Sequence, residues 1–241
     1  MERYTRNRIY ISGEEQEKVR NTKIFLGGAG IGSIIAECAL RMGFEKIVIA
    51  DGDRIELSNL NRQNYTSADI GKFKAETLAQ RLLAINPDAD IEFHNVFITC
   101  DNVEELLSGC DIAVNALDFK DRTPFVFDEI CAQKNIPVLH PYNFGWAGFL
   151  AVVAPDGDKL SVLSNNPNGF ELKVAKFAAR KSNCEWFEDV IARVESEKGA
   201  MPPPQLSVGS WAAASLAAKV MYRLATDKAV DYFPKCYLAG M

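Results

Sequence analysis

The sequence predicts an α/β fold: a Rossmann-like, doubly wound, mainly parallel sheet with antiparallel strands added at the C-terminal side. Two observations carry this expectation. Short apolar runs of strand length alternate with helical periodicities over residues 22–154, the order that sets parallel strands between helices. The run K-I-F-L-G-G-A-G-I-G at residues 23–32 joins a strand to a helix through a glycine turn. About 20 residues further on, V-I-A-D-G-D at residues 48–53 ends a second strand in an acidic tip, as in a nucleotide-binding half-site.

The elements follow in order. An irregular N-terminal arm leads into a short polar helix over residues 14–20, which together form residues 1–21. A buried strand (22–26), a helix with a small and apolar packing face (31–42) and a second strand (46–50) come next. Residues 55–66 read as a polar loop or short helix. Residues 73–85 form an amphipathic helix stopped by Asn86-Pro87. Residues 91–94 are a strand, 103–107 a short helix and 111–116 a fourth strand. The helix at 121–133 carries Pro124 in its first turn, where proline is tolerated. Residues 137–140 are a fifth strand, and 148–154 an antiparallel strand before the turn Pro155-Asp156-Gly157. The pattern then changes. Residues 155–205 hold loop-like S-N-N-P-N-G, helical segments near 171–180 and 185–197, and three prolines at 202–204. They read as a mobile crossover or insertion within one domain spanning 1–241. Residues 206–241 add a long small-residue helix (208–224) and a final strand (232–238).

Composition narrows the function. The 241 residues are 48% apolar and 24% charged, values of an ordinary globular chain. No run approaches the ~20 apolar residues of a membrane span, and the N-terminus lacks the apolar core of a signal peptide, so a cytoplasmic location is expected. A net charge of -5 argues against wholesale nucleic-acid binding. The six cysteines show no C-x-x-C spacing and the two histidines stand apart, so no structural zinc is expected. Most of the cysteines are expected to be core hydrophobes.

The charged residues select among chemistries. Gly27, Gly28, Gly30 and Gly32 expose backbone N–H groups at a helix start, for a phosphate or for packing. Asp51 stands where a ribose-binding carboxylate belongs, or is a solvated strand-end residue. Asp53 is a second acidic candidate, or a cap for the following loop. Arg62 and Lys74 suit phosphate oxygens, or form a solvated basic face with Lys72 and Arg81. Asp118, at the C-terminal edge of the fourth strand, suits Mg²⁺, or caps the next helix; it and Asp121 can divide those two tasks. Arg3, Arg6 and Arg8 make the arm basic, as a solvated tail or a reach toward a partner subunit.

In order and spacing, residues 3–150 resemble the ThiF/MoeB/HesA family, which activates ubiquitin-like and sulfur-carrier proteins. The matching motifs are R-Y-T-R (3–6), G-G-A-G-I-G (27–32), D-G-D (51–53), S-N-L-N-R-Q (58–63), G-K-F-K (71–74), I-N-P (85–87) and N-A-L-D (115–118). The resemblance implies an adenylyltransferase that uses ATP and Mg²⁺ to adenylate a C-terminal Gly-Gly carboxylate, releasing pyrophosphate. It implies that Gly28, Gly30 and Gly32 line the nucleotide and Asp51 binds the ribose. Asn59, Arg62, Gln63 and Lys74 would contact phosphates, Asp118 would hold Mg²⁺, and Phe97 would lie beside the adenine. Arg6 would reach across a homodimer interface into the neighbouring site. The chain departs from the family pattern at Ala29, which stands for the second glycine of the usual G-x-G-x-x-G. It also lacks paired zinc cysteines and a clear thiol nucleophile, although Cys184 lies in the region of one. A tRNA threonylcarbamoyladenosine dehydratase-like activation is an alternative that the acidic balance disfavours. An NAD-dependent oxidoreductase is allowed by the glycines and Asp51, but leaves Arg62, Lys74 and Asp118 without a task. A catalytically silent scaffold on the same fold is the third class.

Overall fold

The computed structural model describes residues 2–182 and 184–240. Among them, seven strands form one sheet: β1 (Lys23–Gly27), β2 (Lys46–Ala50), β3 (Asp90–His94), β4 (Ile112–Asn115), β5 (Val138–Phe144), β6 (Ala147–Val153) and β7 (Tyr237–Ala239). Their order is β3-β2-β1-β4-β5-β6-β7. The pairings from β3 through β5 are parallel, and β6 and β7 add antiparallel. The chain reverses its winding between β1 and β4, which opens a crevice at their C-terminal ends.

Helices cover both faces. Helices α1 (Gly13–Asn21), α2 (Gly32–Met42), α3 (Lys74–Ile85) and α8 (Ser207–Ala225) close one core, around Ile34, Leu78, Ile47 and Ala217. The other face is closed by α4 (Val103–Leu106), α5 (Thr123–Gln133), α6 (Phe170–Ser182) and α7 (Glu185–Ser196), around Phe25, Phe127, Phe149, Phe170 and Phe187. None of the described helices is long and apolar enough to cross a membrane.

Several boundaries differ from those the sequence predicts. The arm is a short 3-10 helix, Glu2–Asn7, anchored by the buried Tyr4. The fifth strand runs on to Phe144 through Pro141. Past Leu139 it has left β4 and pairs only with β6, so a proline without an N–H is accommodated as on an edge. The last strand is shorter, because Pro234 interrupts the ladder before Tyr237. Residues 155–205 contain α6 and α7, whose Phe170, Val174, Phe187 and Ile191 are buried in the second core. The cysteines divide more evenly than expected: Cys110 and Cys131 are buried, Cys38, Cys184 and Cys236 half-buried, and Cys100 exposed. The histidines are not isolated. His140 lies 3.0 Å from Asp128 in the core, and His94 3.0 Å from Glu92 at the surface.

Candidate active site

The glycine turn is built for two different purposes. Gly28 has φ +99, and a Cβ there would stand 2.7 Å from the Ala116 carbonyl oxygen. It is a glycine because β1 must pass close to the end of β4. A Cβ on Gly32 would meet nothing within 4 Å, and one on Gly30 only the Gln63 amide. The N–H groups of Gly30, Ile31 and Gly32 have no acceptor among the described residues. Free amides at the start of α2, facing open space, form a cradle for an anion.

Asp51 follows β2 and uses both carboxylate oxygens on backbone: Oδ2 accepts the Ala29 N–H and Oδ1 the Asp53 N–H, each at 2.7 Å. It therefore ties the glycine turn to the β2 tip. Burial raises the Asp51 carboxyl above its ordinary range, opposed by the Lys74 charge. Lys74 opens α3 and is only 7% exposed; its ammonium lies 2.9 Å from Asp53 Oδ2. Phe97 crosses Gly52 so closely that a Cβ there would fall 2.7 Å from its ring, yet the residue is 65% exposed. Between these groups Tyr65 is buried, its hydroxyl donating to the Ala29 carbonyl at 2.7 Å.

The N-L-N-R-Q turn brings the Gln63 amide beside the cradle, with Arg62 next to it in the chain. Asn59 is buried and holds the turn: its Oδ1 accepts the Glu56 N–H at 3.0 Å, and its carbonyl accepts the N–H groups of Arg62 and Gln63. Arg62 donates through Nη1 to the Ser58 carbonyl and Asn61 Oδ1, both at 2.8 Å, and through Nε to Gln205 Oε1. All three acceptors are neutral, and Nη2 has no partner among the described residues. Burial lowers the Arg62 pKa, opposed by the charge of Asp118. Gln63 Oε1 is buried without a hydrogen-bond partner, next to Gly30.

Asp118 is exposed three residues past β4, with Lys120 3.2 Å away. Asp121 Oδ1 accepts the Thr123 N–H at 2.7 Å at the start of α5. Among the described residues, the Asp118 carboxylate accepts no backbone N–H there. Arg6 is not brought to this site. Tyr4 and Asn7 fasten the arm to the carbonyls of Leu40 and Met42, and Arg3 to that of Ile85. These lie at the far ends of α2 and α3. The 11 residues of α2, ~16 Å by helical rise, separate the exposed Arg6 from its own chain's cradle.

Sequence reasoning missed several residues. Lys120 feels the charges of Asp118, Asp53 and Asp51 together; its place beside Asp118 in D-F-K was a signal. Asn115 donates to the Pro124 carbonyl at 2.9 Å and to Asp128 at 3.0 Å, closing the loop that carries Asp118. Glu171 accepts the Phe119 N–H at 3.1 Å. Asn115 stands in the N-A-L-D motif without a role assigned to it, whereas Glu171 has no spacing signal in the chain.

Fold and site together define a doubly wound α/β protein with an open amide cradle in the crevice at its switch point. The chain belongs to the ThiF family, whose match spans residues 4–234. Among curated relatives, it is 29% identical over 161 residues to the SAMP-activating enzyme E1 of Haloferax volcanii, covering 65% of this chain and 59% of that one. It is 33% identical over 159 residues to the sulfur carrier protein ThiS adenylyltransferase of Bacillus subtilis, covering 64% and 47%. The chain therefore matches only about half the length of these relatives. Solved structures share the fold: PaaA has a TM-score of 0.73 at 22% identity, covering 100% of this chain and 79% of that one. E. coli MccB crystallised with ATP gives 0.73 at 17%, covering 100% and 71%.

Proposed function

We propose that this chain is an ATP-dependent adenylyltransferase for the C-terminal carboxylate of a small ubiquitin-like or sulfur-carrier protein ending in Gly-Gly. The observation that carries the reading is the guanidinium of Arg62, whose hydrogen-bond acceptors are all neutral, on the same turn that sets Gln63 beside the open amide cradle. The names of the relatives, an E1 enzyme and a sulfur-carrier adenylyltransferase, favour it over the oxidoreductase and tRNA-nucleoside alternatives.

The residues present fit a nucleoside triphosphate. Gly30 and Gly32 amides take the phosphates, with Gln63 beside them. Asp51 and Asp53 take the ribose, and the exposed ring of Phe97 takes the base. Asn59 supports the phosphate turn from beneath. Asp118 provides the hard oxygen donors that suit Mg²⁺, which when bound neutralises phosphate charge. The carrier carboxylate oxygen forms a bond to the α-phosphorus, and the bond from that phosphorus to the pyrophosphate oxygen breaks. Arg62 and Lys74 stabilise the charge that shifts to the leaving group; orientation and cationic stabilisation suffice, with no protein nucleophile. Arg6, remote from its own crevice, serves the site of a second copy in a homodimer. The protein acts in the cytoplasm as one domain, with residues 155–205 as the crossover.

Exchange of labelled pyrophosphate into ATP, dependent on the carrier protein, tests this. Asp118→Ala is expected to lower the exchange rate by about a hundredfold or more. Mixed with Arg6→Ala protein, it should regain part of the activity through dimers holding one intact site. Wild-type exchange by Asp118→Ala protein would overturn the reading, and absence of rescue in proven mixed dimers would overturn the trans role.

A further inference from the structure

Arginine offers five N–H donors in a planar fork. In Arg62, three are committed: Nε to Gln205 Oε1, and Nη1 to the Ser58 carbonyl and Asn61 Oδ1. Ser58 and Asn61 belong to the same turn as Arg62. Gln205 does not; it lies 143 residues away, at the end of the segment between α7 and α8. Its backbone grips the turn as well, since Asn61 Nδ2 donates to the Gln205 carbonyl at 3.2 Å.

Gln205 is itself firmly based. The carbonyl of its neighbour Leu206 accepts from Asn143 Nδ2 at 2.7 Å, and the same amide donates to Ser210 Oγ at 2.8 Å in the first turn of α8. Asn143 is on β5, is 9% exposed, and its Oδ1 accepts the Gly145 N–H at 2.8 Å. A rigid path thus runs from the β5–β6 hairpin through the start of α8 to the guanidinium.

We infer that Gln205 is the positioning residue of the phosphate clamp: its amide oxygen holds Nε of Arg62 and leaves Nη2 unengaged for an anion, without cancelling the charge. This rests on the reading of Arg62 as a phosphate ligand. A neutral acceptor is the chemistry the task requires. A carboxylate at position 205 would form an ion pair with the guanidinium and compete with the anion it is meant to bind. An apolar side chain would leave Nε unheld and the fork fixed through Nη1 alone, so part of the ordering would have to occur on binding. The same contact couples residues 201–205 to the site, because moving that segment releases Nε.

Calorimetric titration with inorganic pyrophosphate tests this without turnover or carrier. Gln205→Met keeps length and bulk but accepts no hydrogen bond, and is expected to weaken binding about three- to tenfold. Arg62→Ala should weaken it more, and the double variant should bind no worse than Arg62→Ala alone, since the two act as a unit. Gln205→Glu, nearly the shape of the native residue, should bind more weakly than Gln205→Met; a merely structural role would make it the milder change. Wild-type affinity in Gln205→Met, or losses that add in full, would overturn the inference while leaving Arg62 as a ligand. Unchanged affinity in Arg62→Ala would overturn the phosphate site and the inference together.

Discussion

Lys74 illustrates how burial changes the meaning of a charge. As a surface residue its loss would leave stability within about 0.5 kcal/mol. It is instead 7% exposed and paired with Asp53, so Lys74→Met is expected to cost about 1 kcal/mol, measured by urea unfolding. Its effect on Asp51 has a definite sign. Burial pushes the Asp51 carboxyl up, and the Lys74 ammonium pulls it back. A carboxyl with a raised folded pKa makes stability fall as pH rises from the ordinary carboxylate range through the folded value. Removing the ammonium extends that window upward. An NMR titration of the Asp51 carboxyl should therefore show a higher midpoint in Lys74→Met than in the native chain; equal midpoints would remove Lys74 from the electrostatics of the β2 tip.

At the scale of the element, α1 depends on a capping box: the Ser12 hydroxyl accepts the Glu15 N–H, and Glu15 accepts the Ser12 N–H at 2.8 Å. Lys228, just beyond α8, donates to Glu15 from 2.6 Å. The Lys228 hydrogen bond and then the Ser12 N–H hold the Glu15 pKa down to about 2. A depressed folded pKa contributes stability above the ordinary glutamate range and loses it as pH falls toward about 2. Protection of the α1 amides, taken relative to the intrinsic exchange rate at each pH, should fall over that acid interval. Glu15→Gln should abolish the fall, since glutamine does not titrate. A native α1 with constant protection over the interval would show that the box holds without its charge.

At the scale of the molecule, the two cores are joined by the sheet, and the second core supports the site. Phe170 on α6 stacks on Phe119 with ring centroids 4.2 Å apart and meets Phe125 edge-on at 5.1 Å. Phe119 follows Asp118 directly. Phe170→Ala is expected to cost about 3–5 kcal/mol and to unfold in one transition with the rest of the chain. Denaturation followed by both tryptophan fluorescence and circular dichroism would check this. Two separate transitions would mean that α6 and α7 fold independently of the sheet.

The sequence by itself determined the strand–turn–helix unit at residues 23–42, the acidic tip at Asp51, the alternation that builds the parallel sheet, and the positively charged candidates Arg62 and Lys74. These are legible because period and turn chemistry are local: they depend on residues a few positions apart. Only the tertiary structure decided that Gly28 serves packing while Gly30 and Gly32 stay open, that Lys74 is buried, and that Arg6 lies at the far end of α2 from its own crevice. It alone joined Arg62 to Gln205 and His140 to Asp128. Periodicity tells which face of an element is apolar, but not which distant side chain that face will meet, and polar pairs made across the fold leave no spacing in the chain.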